Sequence, residues 1–330
     1  MKLKDLLAGI NVLEMTADPE WNIEQVAYDS RKVTDGSLFV AISGFASDGN
    51  RFIPMAMEKG AVAVVTAKKP ETDVPYILVE SDRLALALIG CNFYGHPAKS
   101  MTMIGVTGTN GKTSVTLLLK QVLESTLGAK VGLIGTMENR IGDLVIPTER
   151  TTPESFELQG LFAQMRTAGC THVVMEVSSH AVALERIGGV HFDVAAFTNL
   201  TEDHLDFHKT MENYCDAKAE LFARCDKAVF NRDDEWFARV SAKAGTDVLT
   251  TAVKGSGDLV ARDLQLRADG ISFTAVKGGE TARVALQIPG RFTVYNALTV
   301  LGIADQLGIS LSAAAAALAQ AKGVKKYMFR

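Results

Sequence analysis

Short apolar segments alternate with longer segments of helical character along the chain, and Gly, Pro, Asn and Asp residues separate them. In the first part, the pattern predicts helices at residues 51–59 and 83–94. It predicts strands at residues 25–28, 38–42, 61–66 and 76–79. Because strands alternate with helices, we expect an α/β protein with mostly parallel sheets.

A break in this pattern falls at residues 95–100, where Gly95 and Pro97 stand in a polar stretch. A second series of strands and helices follows the break. Its predicted strands are residues 101–106, 172–177, 194–199 and 228–231, and its predicted helices are residues 112–127, 294–307 and 312–321. We therefore expect an N-terminal domain at residues 1–97, a central domain at residues 98–322 and a short tail at residues 323–330.

The composition is that of a soluble globular protein, since 47% of the 330 residues are hydrophobic and 22% are charged. No apolar run approaches the roughly 20 residues of a membrane-spanning helix, and the first ten residues do not form a signal peptide. We therefore expect a cytoplasmic protein without membrane insertion. The net charge of −4 and the lack of a dense basic run argue against a nucleic-acid partner.

The cysteines share no metal-ligand spacing, so they are expected to be reduced, structural thiols; they are Cys91, Cys170, Cys215 and Cys225.

The sharpest chemical signal is Thr-Gly-Thr-Asn-Gly-Lys-Thr at residues 107–113, between a predicted strand and a predicted helix. Glycines let the backbone wrap close to phosphates, so that amide N–H groups and the helix N-terminus face negative charge. Lys112 can reach the outer phosphates, and the Thr113 hydroxyl can reach Mg²⁺. Val106 stands where the strict pattern has glycine, so this is a variant loop. The segment predicts ATP and Mg²⁺ as cofactors, in preference to a chance glycine turn before a lysine.

Glu176 ends a predicted strand, at the edge where parallel sheets bind ligands. Beside a phosphate loop, its carboxylate would suit Mg²⁺, which prefers oxygen ligands. Taken alone, Glu176 fits a solvated glutamate at a strand end better, and Lys218 fits an ordinary surface lysine.

A polar loop at residues 198–208 also follows a predicted strand, and it gathers four groups that can bind metals: Asp203, His204, Asp206 and His208. Their spacing is not that of a helical zinc motif, and the cysteines lie elsewhere in the sequence. A polar loop around a nucleotide-bound Mg²⁺ fits this pattern better.

Several segments occur in the order found in Mur ligases, and together the chain resembles that family. They are Gly-Thr-Asn-Gly-Lys-Thr at 108–113, Thr-Thr-Pro-Glu at 151–154, Met-Glu-Val-Ser-Ser-His at 175–180, Asn-Leu-Thr-Glu-Asp-His-Leu-Asp-Phe-His at 199–208 and Ala-Lys-Ala at 217–219. Tyr-Asp-Ser-Arg at 28–31 resembles the uridine-binding start of the branch that adds the third residue, the MurE type. Folylpolyglutamate synthetases share the phosphate loop but lack this N-terminal domain.

The resemblance implies an amide-forming reaction of peptidoglycan synthesis. ATP phosphorylates the free carboxylate of UDP-N-acetylmuramoyl-L-alanyl-D-glutamate, and the amino group of a diamino acid attacks the acyl phosphate. The products are an amide, ADP and phosphate. The implied fold is an N-terminal α/β domain that binds uridine, then a central ATPase domain with a phosphate loop and a mostly parallel sheet.

The resemblance also implies roles for individual residues. The residues expected to bind ATP are Gly108, Thr109, Asn110, Gly111, Lys112, Thr113, Ser114 and, at the adenine, Asn296. Thr113, Glu176 and His204 are expected to bind Mg²⁺. The uridine end of the substrate is expected to contact Tyr28, Ser30, Phe45, Ala46 and Ser47. The sugar and peptide are expected to contact Thr151, Thr152, Ser178 and Arg186. Lys218 resembles the lysine that this family carbamylates to N6-carboxylysine; with Lys112, Glu176 and His204 it forms the expected catalytic set.

The chain departs from the family pattern at Arg150, where related ligases often carry Asn, and at Leu184, where some carry Gln. The sequence stops at Arg330, so we expect the family's third, Rossmann-like domain, which binds the incoming amino acid, to be absent. The sequence therefore does not choose between lysine, meso-diaminopimelate and another amino acid as the diamino acid.

Three functions remain open on the sequence alone. They are the ligase, a module that binds ATP and the UDP-sugar dipeptide with little ligation, and a phosphate-loop NTPase of another class.

Overall fold

The computed structural model describes residues 1–44, 48–245 and 247–321. The described chain divides into two compact units. The first unit contains Met1–Pro97 and two later segments, Glu154–Ala163 and Leu184–Gly189, and the second contains the rest. The domain limits expected at residues 97 and 322 stay a prediction, and the expected tail at residues 323–330 lies outside the described residues.

The first unit is built on a sheet in which β1 runs antiparallel to its neighbour and the other strands run parallel. The strand order is β1-β5-β4-β3-β2. The strands are β1 (Val12–Met15), β2 (Gln25–Ala27), β3 (Ser37–Ala41), β4 (Ala61–Thr66) and β5 (Tyr76–Val79). Successive residues of β3 pack on opposite faces: Val40 joins one apolar cluster with Leu86, whereas Phe39 joins another with Ala56. The sheet is therefore buried on both faces, which is typical of parallel strands.

The second unit is built on a longer sheet, whose central strands run parallel from β14 to β7 and whose two ends are antiparallel. The strand order is β16-β15-β14-β13-β12-β11-β6-β10-β7-β8-β9. These strands are β6 (Thr102–Thr107), β7 (Val131–Ile134), β8 (Asn139–Ile141), β9 (Leu144–Ile146), β10 (His172–Glu176), β11 (Phe192–Phe197), β12 (Cys225–Asn231), β13 (Asp247–Ala252), β14 (Leu259–Leu266), β15 (Ile271–Lys277) and β16 (Glu280–Leu286).

The α-helices of the described chain are mostly short, and the two longest, α4 and α10, carry several of the predicted ATP-binding residues. They are α1 (Leu3–Leu6), α2 (Ile53–Glu58), α3 (Asp82–Phe93), α4 (Lys112–Leu127), α5 (Ser155–Thr167), α6 (Ser179–Ala183), α7 (Leu205–His208), α8 (Met211–Ala219), α9 (Phe237–Val240), α10 (Arg291–Gln306) and α11 (Leu311–Ala319). None of the described helices has the length and apolar character needed to cross a membrane.

The core of the second unit fixes α4 and α10 against the central strands. Ile104 and Val106 of β6 lie in the same buried cluster as Val115 and Leu119 of α4 and Leu298 of α10. Full burial of one such side chain contributes roughly 1.5–3 kcal/mol. The start of α4, directly after the glycine loop, is therefore held by packing of the whole helix.

The predicted α/β class with mostly parallel sheets is confirmed, and several elements have the predicted bounds. One helix prediction is wrong in part: residues 51–59 are not one α-helix. Instead a 3₁₀ turn at Gly49–Phe52 precedes α2, which begins at Ile53 and has Pro54 in its first turn. Proline lacks an N–H but fits the first turn, where that group has no helical partner.

Candidate functional site

The glycine loop lies at the carboxyl end of β6 and approaches neighbouring side chains too closely for any other residue. Gly108 has φ +143°, and a Cβ atom there would lie 2.0 Å from Thr198 Oγ1. Gly111 has φ +88°, and its Cβ atom would lie 2.5 Å from Asn296 Oδ1. Glycine tolerates both the positive φ and the contact. The loop therefore packs directly on the segment after β11 and on α10.

The segment that follows β11 holds the loop through several hydrogen bonds. Thr198 Oγ1 donates to the Asn110 carbonyl at 2.6 Å, and Asn199 Oδ1 accepts from the Asn110 N–H at 3.0 Å. The Thr109 N–H donates to the Asn199 carbonyl at 2.8 Å, and Thr109 Oγ1 accepts from the Thr201 N–H at 3.0 Å. These bonds fix the loop in one conformation. The sequence predicted that this segment surrounds a nucleotide-bound magnesium ion. Its hydrogen bonds to the glycine loop were not predicted.

Two lysines converge on the loop carbonyls. Lys112 Nζ donates to the carbonyls of Gly108 at 2.8 Å and Thr109 at 2.9 Å, and Lys218 Nζ donates to the Gly108 carbonyl at 3.0 Å. Lys218 is only 1% exposed and lies 4.5 Å from the centre of the Tyr214 ring. The interpretation of Lys218 as a surface lysine, made from its local pattern alone, is wrong.

Both lysines are easier to deprotonate than an ordinary lysine. Burial lowers the pKa of Lys112, whereas the nearby Glu176 and Asp203 partly oppose that shift. Burial also lowers the pKa of Lys218 well below its usual value, and the positive charge of Lys112 lowers it further. A buried cation beside a second cation is unfavourable, so both burial and Lys112 favour the neutral form of Lys218 relative to an exposed lysine.

Glu176, at the end of β10, is the acidic centre of the site. Its side chain is 1% exposed, which excludes the solvated glutamate considered from sequence. Glu176 Oε1 accepts from Thr113 Oγ1 and from the Thr136 N–H, both at 2.9 Å, and Oε2 accepts from Thr136 Oγ1 at 2.9 Å. A Cβ atom at Gly135 would lie 2.5 Å from Oε1. Thr136 and Gly135 were not predicted, because nothing in their local sequence marks them.

Thr113 and Glu176 fit a magnesium ion. The hydroxyl and the carboxylate are hydrogen-bonded to each other, and both supply oxygen ligands beside the glycine loop. Mg²⁺ is usually held by one or two carboxylates together with substrate phosphates. The predicted third ligand, His204, has φ +53° at the start of α7, and its Nε2 lies 3.5 Å from Asp203 Oδ2. The role of His204 toward magnesium stays a prediction.

Histidine and tyrosine rings around His204 pack α6, α7 and α8 together. The His204 ring lies 4.8 Å from His180 and 6.1 Å from Tyr214. His208 is buried, and its Nε2 lies 2.8 Å from Ser179 Oγ. Burial, with a smaller effect from His180, lowers the pKa of His208 to about 4. His208 is therefore neutral at neutral pH and suited to a structural hydrogen bond.

A cavity of about 560 Å³ opens between the loop and α10. Asn296 is 5% exposed, whereas Phe292 is 65% exposed. Tyr295 donates to Asp233 at 3.2 Å, and burial raises the pKa of Tyr295 to about 12. The cavity is lined by the predicted Asn110, Gly111, Ser114 and Asn296 and by the unpredicted Asn199, Thr201, Asn231, Phe292 and Tyr295. Amide and aromatic side chains beside a phosphate loop suit a nucleotide base.

Three residues predicted to bind the sugar and peptide lie close to Glu176. Thr151 Oγ1 is 3.0 Å from Thr136 Oγ1. Thr152 Oγ1 donates to the Glu176 carbonyl at 2.8 Å and accepts from the Ser178 N–H at 3.2 Å. Thr151 therefore reaches the Glu176 carboxylate through Thr136, whereas the buried Thr152 ties the backbone of Glu176 to that of Ser178.

The remaining predicted residues belong to the first unit. Tyr28 donates to Glu157, and Ser30 Oγ lies 3.5 Å from Met55 Sδ. Arg186 Nε lies 3.4 Å from Glu154 Oε2. Their roles toward the substrate stay predictions, as do those of Phe45, Ala46 and Ser47, which lie outside the described residues.

We predict that Gly108→Ala weakens ATP binding by about tenfold or more, since the added methyl group must displace the loop or Thr198. A shift near 1 Å can cost about 100-fold in rate. Gly128→Ala is the matched control: Gly128 also has positive φ, +61°, but no atom lies within 4 Å of its Cβ position. Both variants should melt earlier because a positive φ strains alanine; in Gly128→Ala this strain costs about 1–2 kcal/mol. Isothermal titration with ATP and Mg²⁺ should show a lower ATP affinity in Gly108→Ala than in Gly128→Ala. Equal ATP affinities of the two variants would contradict the prediction.

Comparison with known proteins gives two family matches. Residues 106–304 match the Mur ligase middle domain, and residues 22–94 match the Mur ligase family catalytic domain. A UDP-N-acetylmuramoyl-L-alanyl-D-glutamate–2,6-diaminopimelate ligase of Caldanaerobacter subterraneus subsp. tengcongensis is 46% identical over 96% of this chain and 66% of its own length. The corresponding ligase 1 of Clostridium acetobutylicum is 44% identical over 94% of this chain and 65% of its own length. The chain thus spans about two thirds of the length of these relatives.

Solved structures show the same fold. A UDP-N-acetylmuramoyl-L-alanyl-D-glutamate–2,6-diaminopimelate ligase matches with a TM-score of 0.85 at 25% identity, covering 98% of this chain and 67% of that one. MurF ligase from Thermotoga maritima in complex with ADP matches with a TM-score of 0.62 at 23% identity, covering 92% of this chain and 67% of that one. The family matches, the relatives and the fold agree: the chain belongs to the Mur ligase family.

Proposed function

We propose that this chain carries the ATP site and the UDP-sugar-peptide site of a ligase that adds a diamino acid to UDP-N-acetylmuramoyl-L-alanyl-D-glutamate. The observation that carries the proposal is the convergence of Lys112, Lys218, Thr113 and Glu176 at one glycine loop beside a cavity. The named relatives support 2,6-diaminopimelate as the diamino acid. The cytoplasmic location expected from the sequence is part of this proposal.

The first step transfers the γ-phosphoryl group of ATP. A carboxylate oxygen of the dipeptide attacks phosphorus, the bond to the ADP oxygen breaks, and an acyl phosphate forms. Lys112 turns from the Gly108 and Thr109 carbonyls to the phosphates, where its positive charge stabilises the charge that develops. Thr113 and Glu176 would hold magnesium, which would neutralise charge on the phosphate oxygens. Asn296 and the cavity orient the base.

The second step forms the amide. The neutral amine of the diamino acid attacks the acyl carbon, the carbon–oxygen bond to phosphate breaks, and the nitrogen loses a proton. Thr151, Thr152 and Ser178, grouped beside Glu176, are suited to hold the peptide end of the substrate close to the phosphate loop. Such positioning can supply several kcal/mol of the barrier, up to roughly 7–11.

Lys218 is suited to carbamylation. Its lowered pKa favours the neutral amine, the form that attacks CO₂. A nitrogen–carbon bond forms and one proton leaves, so the neutral amine becomes an anion; counted from a protonated lysine, two protons leave. The carbamate attracts Lys112, whereas a protonated Lys218 would repel it. The carbamate also places carboxylate oxygens beside the loop, where they can bind a second magnesium ion.

We predict that Lys112→Ala weakens binding of ATP with Mg²⁺ by about 10- to 100-fold and abolishes phosphate release, because phosphate charge is left uncompensated. Isothermal titration and a phosphate assay measure the two effects. Lys99→Ala is the control, since Lys99 is an exposed lysine of the same unit outside the site. Unchanged ATP affinity together with unchanged phosphate release in Lys112→Ala would contradict the proposal that the glycine loop binds the phosphates of ATP.

We also predict one protein-bound carbamate on the folded chain in ¹³C-labelled bicarbonate. Carbon-13 NMR should show its signal in the wild type and in Lys99→Ala, and Lys218→Ala should lack it. Unfolding should remove the signal, because the lowered pKa depends on burial. A carbamate signal that persists in Lys218→Ala, or its absence from the folded wild type, would contradict carbamylation of Lys218.

A further inference from the structure

Thr136 follows β7 and contacts both oxygens of the buried Glu176 carboxylate. Its backbone N–H donates to Oε1 and its hydroxyl donates to Oε2, each at 2.9 Å. Two bonds from one residue to the two oxygens fix the plane of the carboxylate. Gly135 permits this approach, because a Cβ atom there would lie 2.5 Å from Oε1.

The hydrogen bonds around Thr136 have a defined direction. An ionised carboxylate only accepts, so the single hydroxyl hydrogen of Thr136 is given to Glu176. The contact of 3.0 Å between Thr136 Oγ1 and Thr151 Oγ1 must then have Thr151 as its donor. A relay therefore runs from Thr151 through Thr136 to Glu176, and each hydroxyl orients the next.

The carboxylate at the end of the relay is also bonded to the phosphate loop. Thr113 Oγ1 donates to Glu176 Oε1 at 2.9 Å, so the carboxylate is held from two sides, by Thr113 and by Thr136. Partners that orient a metal ligand typically change metal affinity by about 10- to 100-fold when they are removed.

We propose that Thr136 is a positioning residue that orients the Glu176 carboxylate for magnesium, and that the Thr151 hydroxyl in turn orients Thr136. This inference rests on the proposed function, since it takes Thr113 and Glu176 as magnesium ligands. In this role Thr136 acts through the Glu176 carboxylate, to which both of its donors are bonded.

The test compares Thr136→Val with Thr136→Ser. Valine keeps the shape and the backbone N–H but removes the hydroxyl, whereas serine keeps both donors. Titration of Mg²⁺ at a fixed concentration of a non-hydrolysable ATP analogue gives the Mg²⁺ concentration for half-maximal nucleotide binding. We expect this concentration to rise about tenfold or more in Thr136→Val and to stay close to the wild-type value in Thr136→Ser. Nucleotide affinity without Mg²⁺ should be the same in all three proteins.

Thr151→Val tests the relay. It should shift the Mg²⁺ requirement in the same direction by about threefold, the effect of one neutral hydrogen bond. The double variant should require no higher Mg²⁺ concentration than Thr136→Val alone, because Thr151 acts through Thr136. Additive effects in the double variant would overturn the relay.

The outcomes separate this inference from the proposed function. A wild-type Mg²⁺ requirement in Thr136→Val, in a chain that binds the nucleotide with Mg²⁺, overturns the positioning role and leaves the proposed function standing. A wild-type chain that shows no Mg²⁺-dependent nucleotide binding overturns both. Should Thr136→Val melt much earlier than the wild type, Thr136→Ala serves in its place, with Thr136→Ser again as the rescue.

Discussion

The site depends on the order of neighbouring parallel strands, β12-β11-β6-β10-β7, whose carboxyl ends meet at one edge of the sheet. The chain leaves β6 for β7 on one side and later returns to β11 on the other, and a ligand crevice forms where the direction of winding changes. The register pairs Glu176 with Val106 and Phe197 with Thr107, so both flanking segments reach the glycine loop. A slip of one residue would turn Glu176 to the opposite face of the sheet.

Charge is the second constraint, because the loop is bordered by two lysines and a buried carboxylate. Lys112 and Lys218 share the Gly108 carbonyl, and burial lowers the pKa of both. Glu176 opposes the shift at Lys112 and is itself held by hydroxyl and amide donors. With two lysines and one carboxylate, this arrangement favours a further anion at the loop. A phosphate group, or conversion of Lys218 to a carbamate, would provide this negative charge. Either change would reduce the electrostatic repulsion between the two lysines.

Sequence reasoning found the parts of the site that local pattern encodes. The glycine loop has its own spacing, and Glu176 ends an apolar strand, so both could be placed before the fold was known. Burial of Lys218 could not be predicted, since it depends on a contact with Gly108, 110 residues away. Thr136 contacts Glu176, which lies 40 residues later in the chain, and no sequence motif around Thr136 indicates this contact. Strands β13 to β16 were missed as well. β16 alternates exposed and buried residues, which is the pattern of a half-buried strand, so its signal was present in the sequence and was not used.

The most direct test of the account is a crystal structure of this chain with a non-hydrolysable ATP analogue and Mg²⁺. The account predicts phosphates on the backbone N–H groups of the loop, with Lys112 Nζ moved from the Gly108 and Thr109 carbonyls onto phosphate oxygens. It predicts magnesium between Thr113 and Glu176, and the base in the cavity beside Asn296. A nucleotide bound away from the loop, or phosphates that leave Lys112 on its own carbonyls, would contradict it.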